Sequence, residues 1–302
     1  MKKFLIKISF IIIPVIIFLE VVEYTVRKQD NSVLKIKRDY IENNNENIEG
    51  LIFGSSTLLQ GINPAILKMN TASLAIAGND VNSGVVLFNA VKEQLKLKFI
   101  IFELSNGYLG KKNPKGSLRS KKAPFYFNTP KKEVKDFFLA RYPLKKQLLN
   151  KKNRLSSYNK WGFDTKVKTT DFDRFHYNDS IILKSEQMLN VLKYHNVINA
   201  NNYIFNINLL HELIEICKNE NIKVVFVSPP KYHLYNNVLI DEHSSRRKEF
   251  LEDVIDNKNV FFWNYERTYE NDSQSFSDLI HLNLDGAQLF SEKINQELIK
   301  IQ

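Results

Sequence analysis

The feature of this sequence that most constrains its fold is a series of short apolar runs that lack the alternation of half-exposed strands. The runs read LIF, SLAIA, FIIFEL, KVVFVS and VFFW and start at residues 51, 73, 99, 223 and 260. Such runs indicate strands that are covered on both faces, as in a parallel sheet. Apolar residues at helical spacing over residues 80–96, 203–219 and 285–300 supply the covering helices. The pattern predicts a three-layer α/β/α fold with a doubly wound parallel sheet.

The N-terminal segment carries an apolar run from Phe4 to Val22 behind the basic start MKK. A helix of this length spans roughly 28 Å, close to the hydrocarbon thickness of a bilayer. No small-residue cleavage site follows the run, which favours an uncleaved transmembrane anchor over a removed signal peptide. The lysines ahead of the run place the N-terminus in the cytoplasm and the rest of the chain outside it. A buried amphipathic helix is the alternative, since Lys7, Pro14 and Glu20 interrupt the run.

The chain divides into an anchor, a tether and a folded domain that contains an insertion. We expect the anchor over residues 1–28 and a polar tether over residues 29–48, because NNNENIEG at residues 43–50 is polar and lacks periodicity. The α/β domain then covers residues 49–302. Residues 111–200 break the alternation of strands and helices, so we expect an insertion above the carboxyl ends of the strands, where open α/β sheets bind ligands.

The positive charge of the chain is concentrated in that insertion. The net charge is +10, and residues 111–168 contain 18 lysines and arginines against three acidic residues. Aromatic residues interleave with this charge, a pattern that can bind nucleic acid. An anchored, extracytoplasmic protein instead meets anionic lipid headgroups or acidic glycans. We expect those partners and no nucleic acid, and a solvated lid is the alternative.

Cysteine and histidine usage excludes several kinds of site. The single cysteine, Cys217, lies among apolar residues at helical spacing and is expected to be buried. A lone cysteine rules out a disulfide framework and a cysteine-rich metal site within one chain. Five of the histidines show no spacing typical of metal ligands, namely His176, His195, His211, His233 and His243. We therefore expect neither a metal nor a cofactor.

The first stretch with catalytic potential is GSS at residues 54–56, directly after the first predicted strand. Serine is a preferred residue at the cap of a helix. A serine that follows a buried strand is also a position from which a nucleophile can act. By itself this stretch leaves both roles open for Ser56.

The second stretch is SDLIHLNLDG at residues 277–286, just before the last predicted helix. Asp278 precedes His281 by three residues, so a single turn can present both side chains. A serine nucleophile needs a base within hydrogen-bond reach and a carboxylate that holds the imidazole in the right tautomer. We therefore expect His281 to be the base, Asp278 to orient it and Ser56 to meet them at the carboxyl edge of the sheet. Ser55 takes the neighbouring turn position.

In the order and spacing of these blocks the sequence resembles the SGNH, or GDSL-like, hydrolase superfamily. The resemblance covers residues 49–110 and 203–300 and rests on FGSS, AIAGND, ELSNG and DLIHLNLDG. It implies a flavodoxin-like strand order. It also implies that Ser56 is the nucleophile of an esterase or acyltransferase, activated by the Asp-x-x-His pair.

The same resemblance implies three donors to the oxyanion of an acyl-transfer intermediate. They are the backbone N–H of Ser56, the backbone N–H of Gly78 and the side-chain amide of Asn106. Two blocks depart from the usual pattern. GSS replaces Gly-Asp-Ser, as in the branch that acylates envelope polymers and includes the D-alanyl transfer protein of teichoic acid synthesis. LSNG at residues 104–107 replaces Gly-x-Asn-Asp.

The predicted anchor and the resemblance together imply a membrane-anchored, extracytoplasmic serine acyltransferase or esterase. Its substrates would be O-acyl groups, O-acetyl in particular, of a cell-surface glycan, and a membrane-embedded acyl-transfer protein is an expected partner. The alternative is a catalytically inactive protein of the same fold that positions an acyl donor or a polymer during envelope assembly.

Overall fold

The computed structural model describes residues 2–30, 32–111, 123–129, 158–165, 172 and 178–301. In this part of the chain, parallel strands form one sheet in the order β2-β1-β3-β4-β5. The strands are β1 Gly50–Phe53, β2 Thr71–Ser73, β3 Phe99–Glu103, β4 Lys223–Ser228 and β5 Val260–Asn264. This is the flavodoxin-like order that the resemblance implies.

Helices precede, connect and follow the strands. Ahead of β3 lie α1 Lys2–Gln29, α2 Val33–Asn44, α3 Ser56–Gly61 and α4 Val81–Val91. Between β3 and β4 lie α5 Ala123–Tyr126, α6 Asp179–Leu183, α7 Glu186–His195 and α8 Ala200–Asn219. The last helices are α9 His233–Val238, α10 Asp241–Val254 and α11 Leu284–Lys300. Short 3-10 turns cover Pro64–Ile66, Lys92–Gln94 and Ser273–Ser275.

Helices cover both faces of the sheet and so complete three layers. On one face, Phe53, Phe102 and Phe226 of the central strands pack with residues of α2, α4, α8 and α10. The preceding residue of each of these strands points the other way, into a second core with α3 and α11. Full burial of such a side chain contributes roughly 1.5–3 kcal/mol. This burial on both faces explains why the apolar runs of β1, β3 and β4 lack alternation, whereas β5 at the end of the sheet is partly exposed.

The second strand lies earlier in the chain than its apolar run predicts. SLAIA at residues 73–77 predicts β2 there, whereas the strand ends at Ser73. Beyond it, the N–H of Leu74 donates to the Ile52 carbonyl at 2.7 Å and that of Ile76 to the Gly54 carbonyl at 3.0 Å. These bonds keep the chain beside β1 and lead it to the turn that contains Gly54.

The predicted polar tether over residues 29–48 is wrong, because α2 packs on the domain. Leu34 and Ile41 of α2 belong to the core on one face of the sheet. Lys37 is 1% exposed, and its Nζ donates to the Ser73 carbonyl at 2.8 Å. Burial lowers the pKa of Lys37 to about 7. The polar NNNEN stretch ends this amphipathic helix and does not begin a free linker.

Much of the predicted insertion falls outside the described residues. Residues 112–122, 130–157, 166–171 and 173–177 are among those not described, and they carry most of the basic stretch. The described end of the insertion forms α6 and α7.

The predicted anchor falls within α1. From Phe4 to Val21, twelve of its large apolar side chains are 49–75% exposed. Over the ranges that the structure describes, no helix is both long enough and apolar enough to cross a membrane.

Gly286 tests the packing that places α11 behind His281. A Cβ on Gly286 would lie 2.2 Å from the carbonyl oxygen of Ser275. Because backbone must then shift, Gly286→Ala should lower the free energy of unfolding by about 1–3 kcal/mol. Gly61→Ala is the matched control, since its Cβ would meet the Phe290 ring at an ordinary 3.6 Å. Denaturant unfolding of both variants measures the difference, and equal stabilities would contradict this packing.

Candidate active site

The turn after β1 presents its two serines differently. Ser55 is the N-cap of α3, and its Oγ accepts from the N–H of Thr57 at 3.5 Å. Ser56 is the first residue of α3, and its Oγ lies 2.7 Å from Nε2 of His281. The cap is therefore Ser55, and the hydroxyl of Ser56 is left to meet the histidine.

His281 and Asp278 lie in a short loop ahead of α11. An antiparallel bridge between Phe276 and Leu282 closes the base of this loop. Asp278 Oδ1 accepts from the backbone N–H groups of Ile280 and His281 at 2.9 Å each. Its Oδ2 lies 2.7 Å from Nδ1 of His281. One carboxylate thus shapes the loop and orients the imidazole.

Ser56, His281 and Asp278 form one hydrogen-bonded row, with the arrangement of a Ser-His-Asp triad. A carboxylate at Nδ1 favours the tautomer with its proton there, which leaves Nε2 to accept the serine proton. In this arrangement Nε2 can take that proton as Oγ attacks a carbonyl carbon, and can then pass it to the leaving group. The row has the geometry that acyl transfer by a serine requires.

Asp278 is held in its charged form. Burial alone would raise its pKa, but the charge and hydrogen bond of His281, together with the two backbone N–H groups, bring the pKa below its usual value. The carboxylate is therefore ionised at neutral pH. Its charge can stabilise the imidazolium that forms during the reaction.

Two of the predicted oxyanion donors are backbone groups. The N–H of Ser56 belongs to the first turn of α3, where N–H groups have no acceptor within the helix. Gly78 has φ of +77°, in the left-handed region that favours glycine, and lies in the loop beyond β2. Their roles in an oxyanion hole stay predictions.

The third predicted donor, Asn106, is hydrogen-bonded to Glu266. Its backbone N–H donates to Oε1 of Glu266 at 3.0 Å, and its Nδ2 lies 3.4 Å from Oε2. Its Oδ1 is buried with no hydrogen-bond partner among the described residues. A carboxylate thus positions this side chain, and its oxyanion role also stays a prediction.

Sequence reasoning missed a buried carboxylate beside the nucleophile. Glu103 ends β3 next to β1 and is 2% exposed. Its Oε2 accepts from the N–H of Ser55 at 2.6 Å, and its Oε1 accepts from Ser105 Oγ at 3.0 Å. A Cβ on Gly54 would lie 2.8 Å from Oε2, so the glycine makes room for the carboxylate. The one available signal was an acidic residue at the end of the apolar run FIIFE.

Two buried cations accompany the carboxylates at this edge, and no local pattern marks them. Arg247 pairs with Glu266 through Nη1 and Oε1 at 2.7 Å and through Nη2 and Oε2 at 2.9 Å. Lys231 is 1% exposed and donates from Nζ to the Ile280 carbonyl at 3.2 Å. Burial lowers the pKa of Lys231 to about 8, against the opposing effect of neighbouring carboxylates.

His195, at the end of α7, is a second histidine near the row. Its Nδ1 lies 3.1 Å from the hydroxyl of Tyr235. Burial, helped by the charges of Lys111, Lys231 and His281, lowers the pKa of His195 to about 4, so the ring is neutral at pH 7. Among the residues with a described position, no group of three or more His, Cys, Asp or Glu side chains could hold a metal ion.

No protein-family model matches the sequence, and no curated protein matches it. Among solved structures, the chain is similar to a putative acylhydrolase from Bacteroides fragilis, with 10% identity, a TM-score of 0.41, and coverage of 84% of this chain and 87% of that chain. It is also similar to a GDSL-like lipase from Bacteroides thetaiotaomicron, with 12% identity, a TM-score of 0.43, and coverage of 90% of this chain and 100% of that chain. Similarities this low carry no argument, so the roles of the side chains depend on the geometry of this chain.

Proposed function

We propose that this chain is a serine esterase or O-acyltransferase that acts on O-acyl groups, O-acetyl in particular, of a cell-surface glycan. The observation that carries the proposal is the row of Ser56, His281 and Asp278, with 2.7 Å at both of its hydrogen bonds. In the first step a bond forms between Ser56 Oγ and the ester carbonyl carbon. The bond from that carbon to the leaving alcohol breaks, and the alcohol leaves with the proton taken up by Nε2. Water or a sugar hydroxyl then releases the acyl group by the reverse sequence.

One observation favours a second candidate, a protein of this fold that binds an acyl donor or polymer without turnover. The amide of Asn106 is engaged by Glu266, and the block LSNG departs from the pattern that the resemblance implies. A lost side-chain donor costs about 10²–10³ in turnover in acyl-transfer sites. The intact row argues for the enzyme.

Alanine substitutions in the row test the proposed reaction. Ser56→Ala or His281→Ala should lower turnover of p-nitrophenyl acetate by on the order of 10⁶, and Asp278→Ala by on the order of 10⁴. The effects should be strongly non-additive, because the three groups act as one unit. A fluorophosphonate probe should label Ser56 in the wild type, with the adduct located by mass spectrometry.

The matched control is Ser55→Ala. Its hydroxyl serves the cap and contacts Thr57 Oγ1 at 3.2 Å. Its loss should cost about 1 kcal/mol of stability and leave turnover within an order of magnitude. An adduct on Ser55, or full activity in Ser56→Ala, would reverse the assignment. A wild type that reacts with neither reagent favours the binding protein.

Acceptor competition separates hydrolysis from transfer. Both reactions share the acyl-enzyme, so added methyl glucoside should not change its formation. A transferase should convert p-nitrophenyl acetate into acetylated glucoside in preference to free acetate, whereas an esterase should release acetate only. Chromatography of the products, with Ser56→Ala as the blank, distinguishes the two.

We also propose that α1 holds the protein at a membrane, with the domain on the extracytoplasmic side. The exposed apolar side chains from Phe4 to Val21 support this, because an apolar surface of that size marks a site of contact with lipid or protein. Lipid would remove this surface from water.

The direction of α2 indicates where a membrane bound by α1 would lie relative to the carboxyl ends of the strands, where Ser56 is located. Lys37 reaches the carbonyl of Ser73 at the end of β2, whereas Tyr40 donates to Oδ1 of Asn70, just before β2, at 2.6 Å. α2 therefore runs antiparallel to the strands, and its first residue lies toward their carboxyl ends. α1 leaves the domain at that edge, which supports a membrane-borne substrate or a membrane-embedded acyl-transfer partner near Ser56.

Protease treatment of spheroplasts from a bacterial expression host tests this topology. The domain beyond about residue 50 should be cleaved in intact spheroplasts, because lysines ahead of the apolar run keep the N-terminus inside. A variant without residues 2–22 should be recovered in the soluble fraction. A protected domain, or a full-length chain that is soluble without detergent, would contradict the proposal.

A further inference from the structure

Lys231 is bonded to the loop that carries His281 and lies within electrostatic range of Glu103, the carboxylate beside the Ser56 turn. Its Nζ donates to the carbonyl of Ile280, the residue before His281, at 3.2 Å. Burial would raise the pKa of Glu103, the carboxylate that accepts from the N–H of Ser55, but the charge of Lys231, with Lys111 and hydrogen bonds, brings that pKa below its usual value. A single buried ammonium thus acts on the loop of the base and, through Glu103, on the turn of the nucleophile.

The buried charges around Lys231 nearly cancel. The carboxylates of Glu103, Glu266 and Asp278 all favour the protonated form of Lys231, and Arg247 is the second buried cation. The partly exposed Lys111 adds a third positive charge, so with a neutral imidazole this group holds three negative and three positive charges. Loss of the ammonium leaves an excess of negative charge beside His281. An uncompensated buried charge of this kind is costly.

We propose that Lys231 is a positioning residue that sets the alignment and the charge balance of Ser56 and His281. The proposal rests on the acyl-transfer role of that pair. Lys231 itself touches neither reacting atom and acts through Glu103 and Ile280.

Groups from every side of Lys231 contribute to this balance. Glu103 and Lys111 face it from β3 and the loop beyond, and Glu266 and Asp278 from the segments after β5 and before α11. From the helices, the ring of Tyr235 lies 5.9 Å from Nζ, and His195 lies within range of its charge. Burial raises the pKa of Tyr235 and lowers that of His195, so both are neutral at pH 7.

Lys231→Met removes the charge and keeps an unbranched side chain that is one heavy atom shorter. Misalignment of Ser56 and His281 should lower kcat by about 10²-fold, with KM little changed. The excess negative charge favours the protonated, inactive imidazole, so the acidic limb of the kcat/KM profile should move up by about one pH unit. A role limited to packing would not move that limb. Lys231→Arg, which keeps the charge, should leave it in place.

Glu103→Gln should move the same limb in the opposite direction, because it removes a negative charge from the group. The double variant Glu103→Gln/Lys231→Met removes one charge of each sign, so its acidic limb should return close to that of the wild type. Lys223→Met is the matched control. This lysine begins β4, the strand that precedes Lys231, and donates to the carbonyl of Ile301 at the amino ends of the strands, away from Ser56.

The measurement is the pH dependence of p-nitrophenyl acetate hydrolysis and of fluorophosphonate labelling in each full-length variant, with thermal unfolding alongside. Opposite shifts in the single variants and their cancellation in the double variant are the expected result. Wild-type profiles in Lys231→Met, or shifts of the same sign in both single variants, would overturn the proposal. If Lys231→Met does not fold, Glu103→Gln and the double variant decide the sign of the coupling.

An activity-independent measurement separates this inference from the proposed function. The ring protons of His281, assigned by their loss in His281→Gln, can be followed by NMR across the same pH range. A shift in their titration in Lys231→Met without labelling of the wild type would uphold the charge coupling and refute the acyl-transfer function. Labelling of the wild type without any shift in Lys231→Met would uphold the acyl-transfer function and refute the charge coupling.

Discussion

Burial of the sheet on both faces is the constraint on which the rest of this structure depends. The central strands carry apolar side chains toward two separate cores, so polar groups first appear where these strands end. β1 is followed by the serines, β3 ends in Glu103, and β4 ends in Ser228. Since β1, β3 and β4 are parallel neighbours, these ends lie side by side, at the point where the strand order reverses. The arrangement of the strands alone therefore places these polar groups together at the carboxyl edge of the sheet.

The polar groups at that edge stabilise one another. Ser228 Oγ donates to Glu266 at 2.6 Å, and Arg247 pairs with the same carboxylate and reaches the carbonyl of Leu104 at 3.2 Å. Buried ion pairs of this kind add little net stability, but loss of one member leaves a costly charge behind. The cluster thus fixes the loops after β3, β4 and β5 relative to each other. The row of Ser56 and His281 is assembled on those fixed loops.

The sequence predicts those parts of the site that carry a local pattern, and the parallel sheet then predicts that Ser56 and His281, 225 residues apart, meet at its carboxyl edge. Three-residue spacing places Asp278 and His281 on one loop, and Ser56 follows an apolar strand. Ser55 and Glu103, by contrast, are 48 residues apart, and Lys231 and Ile280 are 49 residues apart. Such pairs are brought together by the order of the strands in the sheet. No short-range spacing in the sequence indicates them. The helix α2 was missed for a similar reason, since its apolar residues are buried only by their contact with the distant residues of the core.

Glu103 also constrains which side chain can occupy position 55 of the turn. The N–H of residue 55 lies 2.6 Å from Oε2 of Glu103, and the side chain of Ser55 is 4% exposed. An aspartate at position 55 would bring a second carboxylate into the same buried space. Like charges held close together in a low-dielectric interior cannot both stay ionised. Serine supplies the cap to α3 without that charge. The GSS turn and the buried glutamate of β3 are thus complementary.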